Sequence, residues 1–210
     1  IARRQRQMCI RDRCRTIMNE SRRSHLFILS APSGTGKTVL GKLLLQDWSD
    51  KIARIVTSTT RVPRKREKNG LDYYFMAEPE FRAKQARGEF LEYAEVFGAL
   101  YGTEMRELKR ASSTGKNLLL IIDTQGALQV KKKLPKSVLI FISPPNKEVL
   151  QNRLQNRNTE TKHTLNRRLE DFEKEMSEMR HYDYHLVNED LQETLLILKS
   201  IIIAEEHKIN

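Results

Sequence analysis

The sequence predicts an α/β fold in which a parallel central sheet is flanked by helices. Two observations indicate this class. Short apolar runs alternate along the chain with segments whose apolar residues recur at spacings of three and four, as strands alternate with helices in this class. The first apolar run, 26–29, leads into a glycine-containing loop and then into a helical pattern that begins at Lys37. A strand, a loop and a helix in that order are typical of phosphate-binding units.

Each element follows from the local pattern of apolar residues. Core strands are predicted at the short apolar runs 25–30, 54–57, 117–122, 137–141 and 185–187. Helices are predicted at 37–48, 147–156, 165–180 and 191–208, where the pattern is helical. Because strands and helices alternate, successive core strands are expected to lie parallel, with the helices covering the faces of the sheet.

Residues 24–210 are expected to form one domain with two insertions. Segment 58–113 is too long for a connecting loop, which indicates a small substrate-holding subdomain. Segment 153–168 contains an irregular stretch flanked by arginines between two predicted helices, which indicates a lid. Residues 1–23 are basic and lack apolar periodicity, so they predict a disordered arm. Residues 1–17 are expected to be foreign to the folded domain.

Charge and composition narrow the class of protein. The formal net charge is +11, but more than half of it lies in residues 1–24, which hold eight Arg and two acids. No apolar stretch reaches the ~18 residues that would span a bilayer. The two cysteines, Cys9 and Cys14, both lie in the basic arm. These features predict a soluble cytoplasmic protein with no membrane partner, structural disulfide or zinc.

The loop after the first strand has the composition of a phosphate-binding loop. Lys37 and Thr38 follow Gly34 and Gly36, with Ala31 where the general pattern has its first glycine. In such loops backbone N–H groups bind phosphate, the lysine reaches the β- and γ-phosphates, and the Ser/Thr hydroxyl ligates Mg²⁺. Thr38 is therefore the predicted ligand of Mg²⁺, the expected cofactor. The expected donor-nucleotide contacts are Ser33, Gly34, Thr35, Gly36, Lys37, Thr38 and Val39. The alternative is an ordinary glycine-rich turn.

Asp123 directly follows the apolar run 118–122. It is expected at the C-terminal end of a core strand, where ligands collect in α/β sheets. A carboxylate at that place can face a metal ion and a substrate. The alternative is that Asp123 serves only as the N-cap of the helix that follows it.

A second group of residues has the chemistry of a site for a phosphate monoester. Arg61 and Arg64 stand three apart around Pro63, which restricts the backbone between them. Arginine suits bidentate contacts with phosphate oxygens, and the phenols of Tyr73 and Tyr101 can donate to the same phosphate. The alternative is a solvated basic loop.

Taken in order, these segments resemble the guanylate kinase family. The similar motifs are Ser-Ala-Pro-Ser-Gly-Thr-Gly-Lys-Thr at 30–38, Thr-Ser-Thr-Thr-Arg-Val-Pro-Arg at 57–64 with Glu67, Gly70 and Asp72-Tyr73, Gly-Glu-Phe-Leu-Glu at 88–92, Tyr-Gly-Thr at 101–103, Asp-Thr-Gln-Gly at 123–126, and the arginines 153, 157 and 168. The resemblance extends over about residues 25–208.

The resemblance implies a P-loop kinase with a GMP-binding insert (58–113) and a helical lid (153–168). Its implied reaction is transfer of the ATP γ-phosphoryl group to GMP, giving GDP and ADP, in purine nucleotide metabolism. The residues implied to hold the GMP phosphate are Arg61, Arg64, Tyr73 and Tyr101. Those implied to recognise guanine are Thr57, Glu92, Thr103 and Asp123. The implied catalytic residues are Lys37, Arg153, Arg157 and Arg168, and the position implied to lie near the adenine of ATP is Asn188.

The implied role of Glu92 is consistent with the chemistry of the base. Guanine presents N1–H and the N2 amine as donors on one edge, so one carboxylate can accept from both. Adenine has the opposite polarity, and a buried site that pairs with one base leaves its groups unpaired with the other.

Two residues depart from the family pattern. Ile121 stands where the family usually has an acid two residues before Asp123, which weakens the expectation of a metal-water contact at that position. Arg66 replaces a glycine that is common in the GMP loop. Neither departure removes a residue of the predicted phosphate-binding or base-binding groups.

The sequence leaves several functions open. The first is an enzyme acting on GMP, or on dGMP. The second is a non-catalytic guanylate-kinase-like binding module, against which the intact 36–38 motif argues. A third is a related P-loop kinase with another acceptor, for which Glu92 and the 61–64 loop would lack a purpose. Nucleic-acid binding is not expected of the domain, because its charges cluster around a mononucleotide-sized site. The sequence does not predict an oligomeric state.

Overall fold

The structure is a computed structural model that describes residues 24–155 and 171–209. Along this part of the chain the strands are β1 (Leu26–Ser30), β2 (Ile52–Ile55), β3 (Ser58–Thr59), β4 (Tyr74–Phe75), β5 (Phe90–Val96), β6 (Ala99–Glu104), β7 (Asn117–Ile122), β8 (Val138–Ser143) and β9 (Tyr184–Val187). The helices are α1 (Lys37–Asp47), α2 (Glu78–Ala86), α3 (Met105–Ser112), α4 (Thr124–Lys133), α5 (Lys147–Gln155) and α6 (Leu191–Glu206). Residues 171–177 are helical and lead into a 3₁₀ turn at Glu178–His181.

The central sheet has the strand order β2-β7-β1-β8-β9, and its neighbouring strands pair in parallel. Successive side chains of β1 point to opposite faces, so each face of the sheet buries its own set of residues. Leu26 and Ile28 belong to the core beneath α3 and α4. Phe27 and Leu29 belong to the core beneath α1 and α6. The predicted class, a parallel sheet flanked by helices, is confirmed.

The chain between β2 and β7 forms a second sheet with the strand order β4-β3-β6-β5. Strands β5 and β6 make an antiparallel hairpin whose two-residue turn, Phe97 and Gly98, has positive φ angles of 51° and 76°. This sheet has a small core of its own, in which the rings of Phe81 and Phe90 stack with centroids 4.4 Å apart. The side chains of this region are therefore held on a folded framework rather than on a long loop.

Element boundaries differ from the sequence prediction mainly at the second strand. That strand is predicted at 54–57, whereas β2 lies at Ile52–Ile55 and pairs with the first four residues of β7. The chain leaves the central sheet after Ile55, and the carbonyl of Thr57 instead accepts the N–H of Tyr74 in β4 at 2.9 Å. Apolar character alone did not reveal this change of sheet.

Some predictions fall on residues that the structure does not describe. They are the arm at 1–23, the start of the helix predicted at 165–180, and the part of the lid from 156 to 168. Among the described helices, none has the length and apolar character needed to cross a membrane.

Candidate functional site

A cleft of about 420 Å³ opens where the carboxyl ends of β1 and β7 face the second sheet. Its lining includes residues from both predicted phosphate sites and from the predicted base site. From the loop after β1 these are Ser33, Gly34, Thr35, Gly36, Lys37, Thr38 and Val39. From the second sheet and its loops they are Thr57, Arg61, Arg64, Tyr73 and Tyr101, and from the end of β7 the lining residue is Asp123.

The loop between β1 and α1 is shaped by backbone conformations that favour glycine. Gly34 and Gly36 both have φ of 97°, in the left-handed region that is costly for a residue with a Cβ. The buried hydroxyl of Thr35 donates to the carbonyl of Pro32 at 3.0 Å, so this side chain supports the loop from within. Thr38 lies in the first turn of α1 and is exposed to the cleft.

Lys37 lies at the junction of the loop and the central sheet. Its Nζ donates to the carbonyl of Ile122 at 2.8 Å and approaches that of Ala31 at 3.5 Å. Burial lowers the pKa of Lys37, while the nearby carboxylates of Asp123 and Glu175 act in the opposite direction. The ammonium is thus held at the ends of β1 and β7, inside the cleft.

Asn188 supports the same loop from behind. Its Nδ2 donates to the carbonyl of Thr35 at 2.6 Å, and its Oδ1 accepts from the hydroxyl of Thr194 at 3.2 Å. A Cβ at Gly36 would stand 2.6 Å from that Nδ2, so the close approach requires glycine. Asn188 also lines a neighbouring cleft of about 390 Å³ with Arg153, whose guanidinium donates to the Asn188 carbonyl at 3.1 Å.

Two of the predicted base-recognition residues, Glu92 and Thr103, meet at the edge of the second sheet, whereas the other two, Thr57 and Asp123, line the cleft. Glu92 of β5 is 1% exposed, and its Oε1 accepts from the hydroxyl of Thr103 in β6 at 2.6 Å. Burial raises the pKa of Glu92 to about 8, and the carboxylate of Asp123 adds to the rise. A Cβ at Gly126 would stand 2.6 Å from Glu92 Oε2, so the carboxylate fits only against a glycine.

Asp123 both caps a helix and lines the cleft. It is the N-cap of α4, and its Oδ1 accepts from the N–H of Gly126 at 3.0 Å. The capping role offered by the sequence is therefore present, while the residue also lines the cleft. The cap fixes Gly126 beside Glu92 and so connects the end of β7 to the base-recognition group.

The predicted phosphate-monoester group is also assembled. Arg61 Nε donates to the hydroxyl of Tyr101 at 3.2 Å, and the guanidinium lies 5.6 Å from the ring centroid of Tyr73. The rings of Tyr73 and Tyr101 are 6.0 Å apart in an edge-on arrangement. Arg64 lines the same cleft, with its side chain 63% exposed.

Two site features escaped the sequence analysis. Glu175, on the helical stretch 171–177, lines the cleft, and burial raises its pKa to about 7 although Lys37 opposes the rise. It lies in a helix with several acids, so no motif singled it out. Glu67, noted only as a motif residue, binds Arg61 directly through its carboxylate.

Ile121, one of the two departures noted in the sequence, gives the cleft an apolar wall. A Cβ at position 41 would overlap Ile121 Cδ1, so Gly41 in α1 leaves the space that the isoleucine side chain fills. The departure at 121 is thus accommodated by packing between β7 and α1. Of the predicted catalytic arginines, Arg153 lies on α5, while Arg157 and Arg168 are outside the described residues.

Known proteins resemble this chain over most of its length. A sequence model described as "Guanylate kinase" matches residues 23–205. The chain belongs to the guanylate kinase family. It is 46% identical over 191 residues to guanylate kinase from Protochlamydia amoebophila, covering 91% of this chain and 96% of that protein. It is 43% identical over 183 residues to guanylate kinase from Chlamydia pneumoniae, covering 87% and 89% of the two chains.

A solved structure agrees with this assignment. The crystal structure of guanylate kinase from Anaplasma phagocytophilum superposes with a TM-score of 0.72 and 36% sequence identity, covering 88% of this chain and 87% of that one. Family membership confirms the predicted P-loop kinase fold and the predicted enzyme class, a nucleotide-binding kinase that transfers a phosphoryl group.

Proposed function

We propose that this enzyme transfers the γ-phosphoryl group of ATP to GMP, or to dGMP, and so produces ADP and GDP or dGDP. The observation that carries the proposal is the composition of the cleft. One end has a glycine loop with Lys37, and the other has a guanidinium and two phenols. Glu92 is not part of the cleft lining, but its buried carboxylate lies close enough to Asp123, which is, for the charge of Asp123 to raise the pKa of Glu92. Two anionic nucleotides can therefore meet with their phosphates between the two ends.

The donor end suits a triphosphate. In our proposal the backbone N–H groups of the loop and the N-terminus of α1 bind the phosphates. Lys37, whose Nζ donates to the carbonyl of Ile122, adds a positive charge. Phosphoryl transfer asks an enzyme mainly for positioning and for positive charge where negative charge develops. In our proposal Lys37 supplies that charge. Arg153 lines the neighbouring cleft rather than this one, so the same role stays a prediction for Arg153, Arg157 and Arg168.

The residues present fit a magnesium ion that arrives with the triphosphate. Mg²⁺ prefers oxygen ligands, keeps several waters and is usually held by one or two protein groups plus substrate phosphates. Thr38 offers a hydroxyl in the cleft, with the Asp123 and Glu175 carboxylates in the same lining. Among the described residues no group of three or more His, Cys, Asp and Glu could hold a metal by itself. When bound, Mg²⁺ would neutralise charge on the phosphates.

The acceptor end suits a guanine nucleotide. When it is ionised, Glu92 can accept from N1–H and the N2 amine of guanine. The hydroxyl of Thr103 donates to Glu92 Oε1 and so holds the carboxylate in place. Thr57 is buried and lines the cleft together with Asp123. Since a neutral carboxylic acid would present a donor to a donor, guanine binding favours the ionised form of Glu92.

A coupled assay of ADP release with GMP, AMP, CMP and UMP as acceptors tests the proposal. We expect turnover with GMP to exceed that with the other three by at least ~10², because a mismatched base leaves buried polar groups unpaired. A non-catalytic binding module would bind GMP without releasing ADP. No turnover with GMP, or equal turnover with all four, would contradict the proposed reaction. A cytoplasmic place in purine nucleotide metabolism follows from the same proposal and stays a prediction.

A further inference from the structure

The loop that carries the two predicted phosphate-binding arginines is organised around one carboxylate, Glu67. Its two oxygens accept from Arg61 Nη2 at 2.8 and 2.9 Å, and its Oε2 also accepts the backbone N–H of Arg64 at 2.8 Å. The N–H of Glu67 donates to the carbonyl of Arg64 at 2.9 Å, which closes a turn. The Glu67 side chain is only 16% exposed. Glu67 thus fixes both the Arg61 side chain and the Arg64 backbone.

The Arg61 guanidinium is held in place by contacts with several neighbouring residues. Besides Glu67, its Nη1 donates to the carbonyl of Val62 at 2.8 Å and its Nε donates to the hydroxyl of Tyr101 at 3.2 Å. The guanidinium lies over the rings of Tyr73 and Phe75 at 5.6 and 5.9 Å from their centroids. The Arg61 side chain is 20% exposed as a result. It forms a preorganised group on the wall of the cleft.

Arg64 is held differently. Its backbone is tied to Glu67, but its guanidinium is 63% exposed and its Nη1 lies 4.0 Å from Glu67. The two arginines therefore have unlike roles in this loop. Arg61 is already oriented before any ligand arrives, whereas the Arg64 side chain reaches into solvent at the edge of the cleft.

The contact between Arg61 and Tyr101 also orients a proton. Because the phenol oxygen accepts from Arg61 Nε, the proton of the hydroxyl must point away from that nitrogen. Tyr101 lines the cleft, so its O–H can donate to an anion bound there. Nη1 of Arg61 has a second N–H beyond the one given to Val62, so the guanidinium keeps donor capacity for a ligand.

We propose that Glu67 is a positioning residue for the phosphate of the acceptor nucleotide. It fixes Arg61, Arg61 orients the hydroxyl of Tyr101, and together they form the rigid half of the phosphate site, while Glu67 itself does not touch the substrate. Arg64 forms the half that closes on the ligand. The proposal rests on the proposed function, since it assumes that a nucleoside monophosphate binds in this cleft.

Glu67 has two opposing effects on phosphate binding, and their balance decides whether its removal weakens or tightens GMP binding. The negative charge of Glu67 repels a phosphate, so removing it would tighten binding if repulsion dominated. Fixing the guanidinium favours binding, because a long side chain that is already ordered loses less conformational freedom when the ligand arrives. Three hydrogen bonds to Glu67 oxygens favour the ordering effect. Removal of the charge should therefore weaken GMP binding.

The test measures the dissociation constants of GMP and of guanosine by calorimetry without ATP. Guanosine has the same base and ribose but no phosphate, so the ratio of the two constants reports on the phosphate site alone. Glu67→Gln should weaken GMP binding by roughly tenfold, a typical coupling between contacting charged residues, and leave guanosine binding unchanged. In an Arg61→Ala background the weakening of GMP binding by the same substitution should be largely lost.

The matched control is Glu78→Gln, which removes an exposed carboxylate paired with Arg82 at 3.1 Å in the same insert. It should leave the ratio unchanged. If Glu67→Gln does not fold, Glu67→Asp withdraws the carboxylate by one methylene and should lower GMP affinity in the same direction.

Several results would overturn the proposal. One is a GMP affinity that is unchanged or tighter in the Gln or Asp variant. Another is an equal loss of guanosine binding, which would make Glu67 a structural residue only. A third is that Glu67→Gln weakens GMP binding as much in the Arg61→Ala background as in the unsubstituted enzyme. If the unsubstituted enzyme bound GMP no better than guanosine, the acceptor site of the proposed function would fail as well, and the two failures are thereby distinguished.

Discussion

Replacing Glu92 with Gln should make the enzyme more stable and less active, with the gain in stability depending on pH. An unfolded chain ionises this carboxyl near its ordinary pKa of 4.5, whereas burial raises the pKa in the folded protein to about 8. Between these values the folded state holds a proton that the unfolded state has lost. Stability therefore falls as pH rises through this window, by up to ~1.4 kcal/mol per pH unit.

The magnitude follows from the size of the pKa shift. Over the window from 4.5 to about 8 the penalty approaches an upper limit of about 5 kcal/mol, and we take roughly 2–5 kcal/mol as the expected range. The glutamine has nearly the same shape, carries no charge and can still accept the Thr103 hydroxyl with its amide oxygen. At pH 8 the variant should melt at least ~4 °C above the unsubstituted protein. Below pH 4.5 the difference should disappear.

Activity should change in the opposite direction. The amide presents N–H₂ where guanine also presents donors, so one or two charge-assisted hydrogen bonds are lost, at about 1.5–3 kcal/mol each. We expect kcat/KM for GMP to fall by roughly 10² or more.

The assay compares melting temperatures of nucleotide-free protein at pH 5 and pH 8, with Glu95→Gln as the control. Glu95 is an exposed neighbour on the same strand, β5. An equal difference in melting temperature at both pH values would refute the argument that a raised pKa of Glu92 destabilises the fold.

Three further substitutions test the geometry of the cleft. Lys37→Ala should abolish turnover, measured as ADP release, while far-ultraviolet circular dichroism stays unchanged; a wild-type rate would contradict its role. Gly126→Ala should push the Glu92 carboxylate out of place and lower kcat/KM for GMP by roughly 10², a value expected for misplacement near 1 Å. Helix α4, which carries position 126, should remain intact. An unchanged kcat/KM would show that the close approach of Gly126 to the Glu92 carboxylate does not matter for activity. Asn188→Ala should release the carbonyl of Thr35, lower stability by about 1–3 kcal/mol in urea unfolding, and raise KM for ATP more than KM for GMP. Equal changes in both KM values would argue against a local effect on the donor loop.

The parts that could be predicted from sequence are those whose chemistry is contiguous in the chain. The loop 33–39 combines a preceding apolar strand, two glycines, a lysine and a following helix, and each contributes within a few residues of the others. The alternation of apolar runs with helical patterns also fixed the class of sheet. Both features depend on local backbone geometry, for which the sequence is informative.

The parts that could not be predicted depend on contacts between distant segments. β2 begins two residues earlier than expected because pairing with β7 sets its limits, not its apolar content. Glu175 lines the cleft together with residues that follow β1 and β7, all of which lie more than 50 positions before it in the sequence. The requirement for glycine at 126 is visible only when β5 is placed against α4. Contacts between residues that lie far apart in the sequence leave no signal in the local sequence pattern.

A crystal structure of the enzyme with GMP and a non-hydrolysable ATP analogue would test the central claim most directly. We expect the triphosphate in the loop 33–39 against Lys37, and the GMP with its base at Glu92 and its phosphate at Arg61 and Tyr101. The two phosphate groups should face each other in line across the cleft. A GMP bound elsewhere, or an acceptor end filled by the protein's own side chains, would contradict the account.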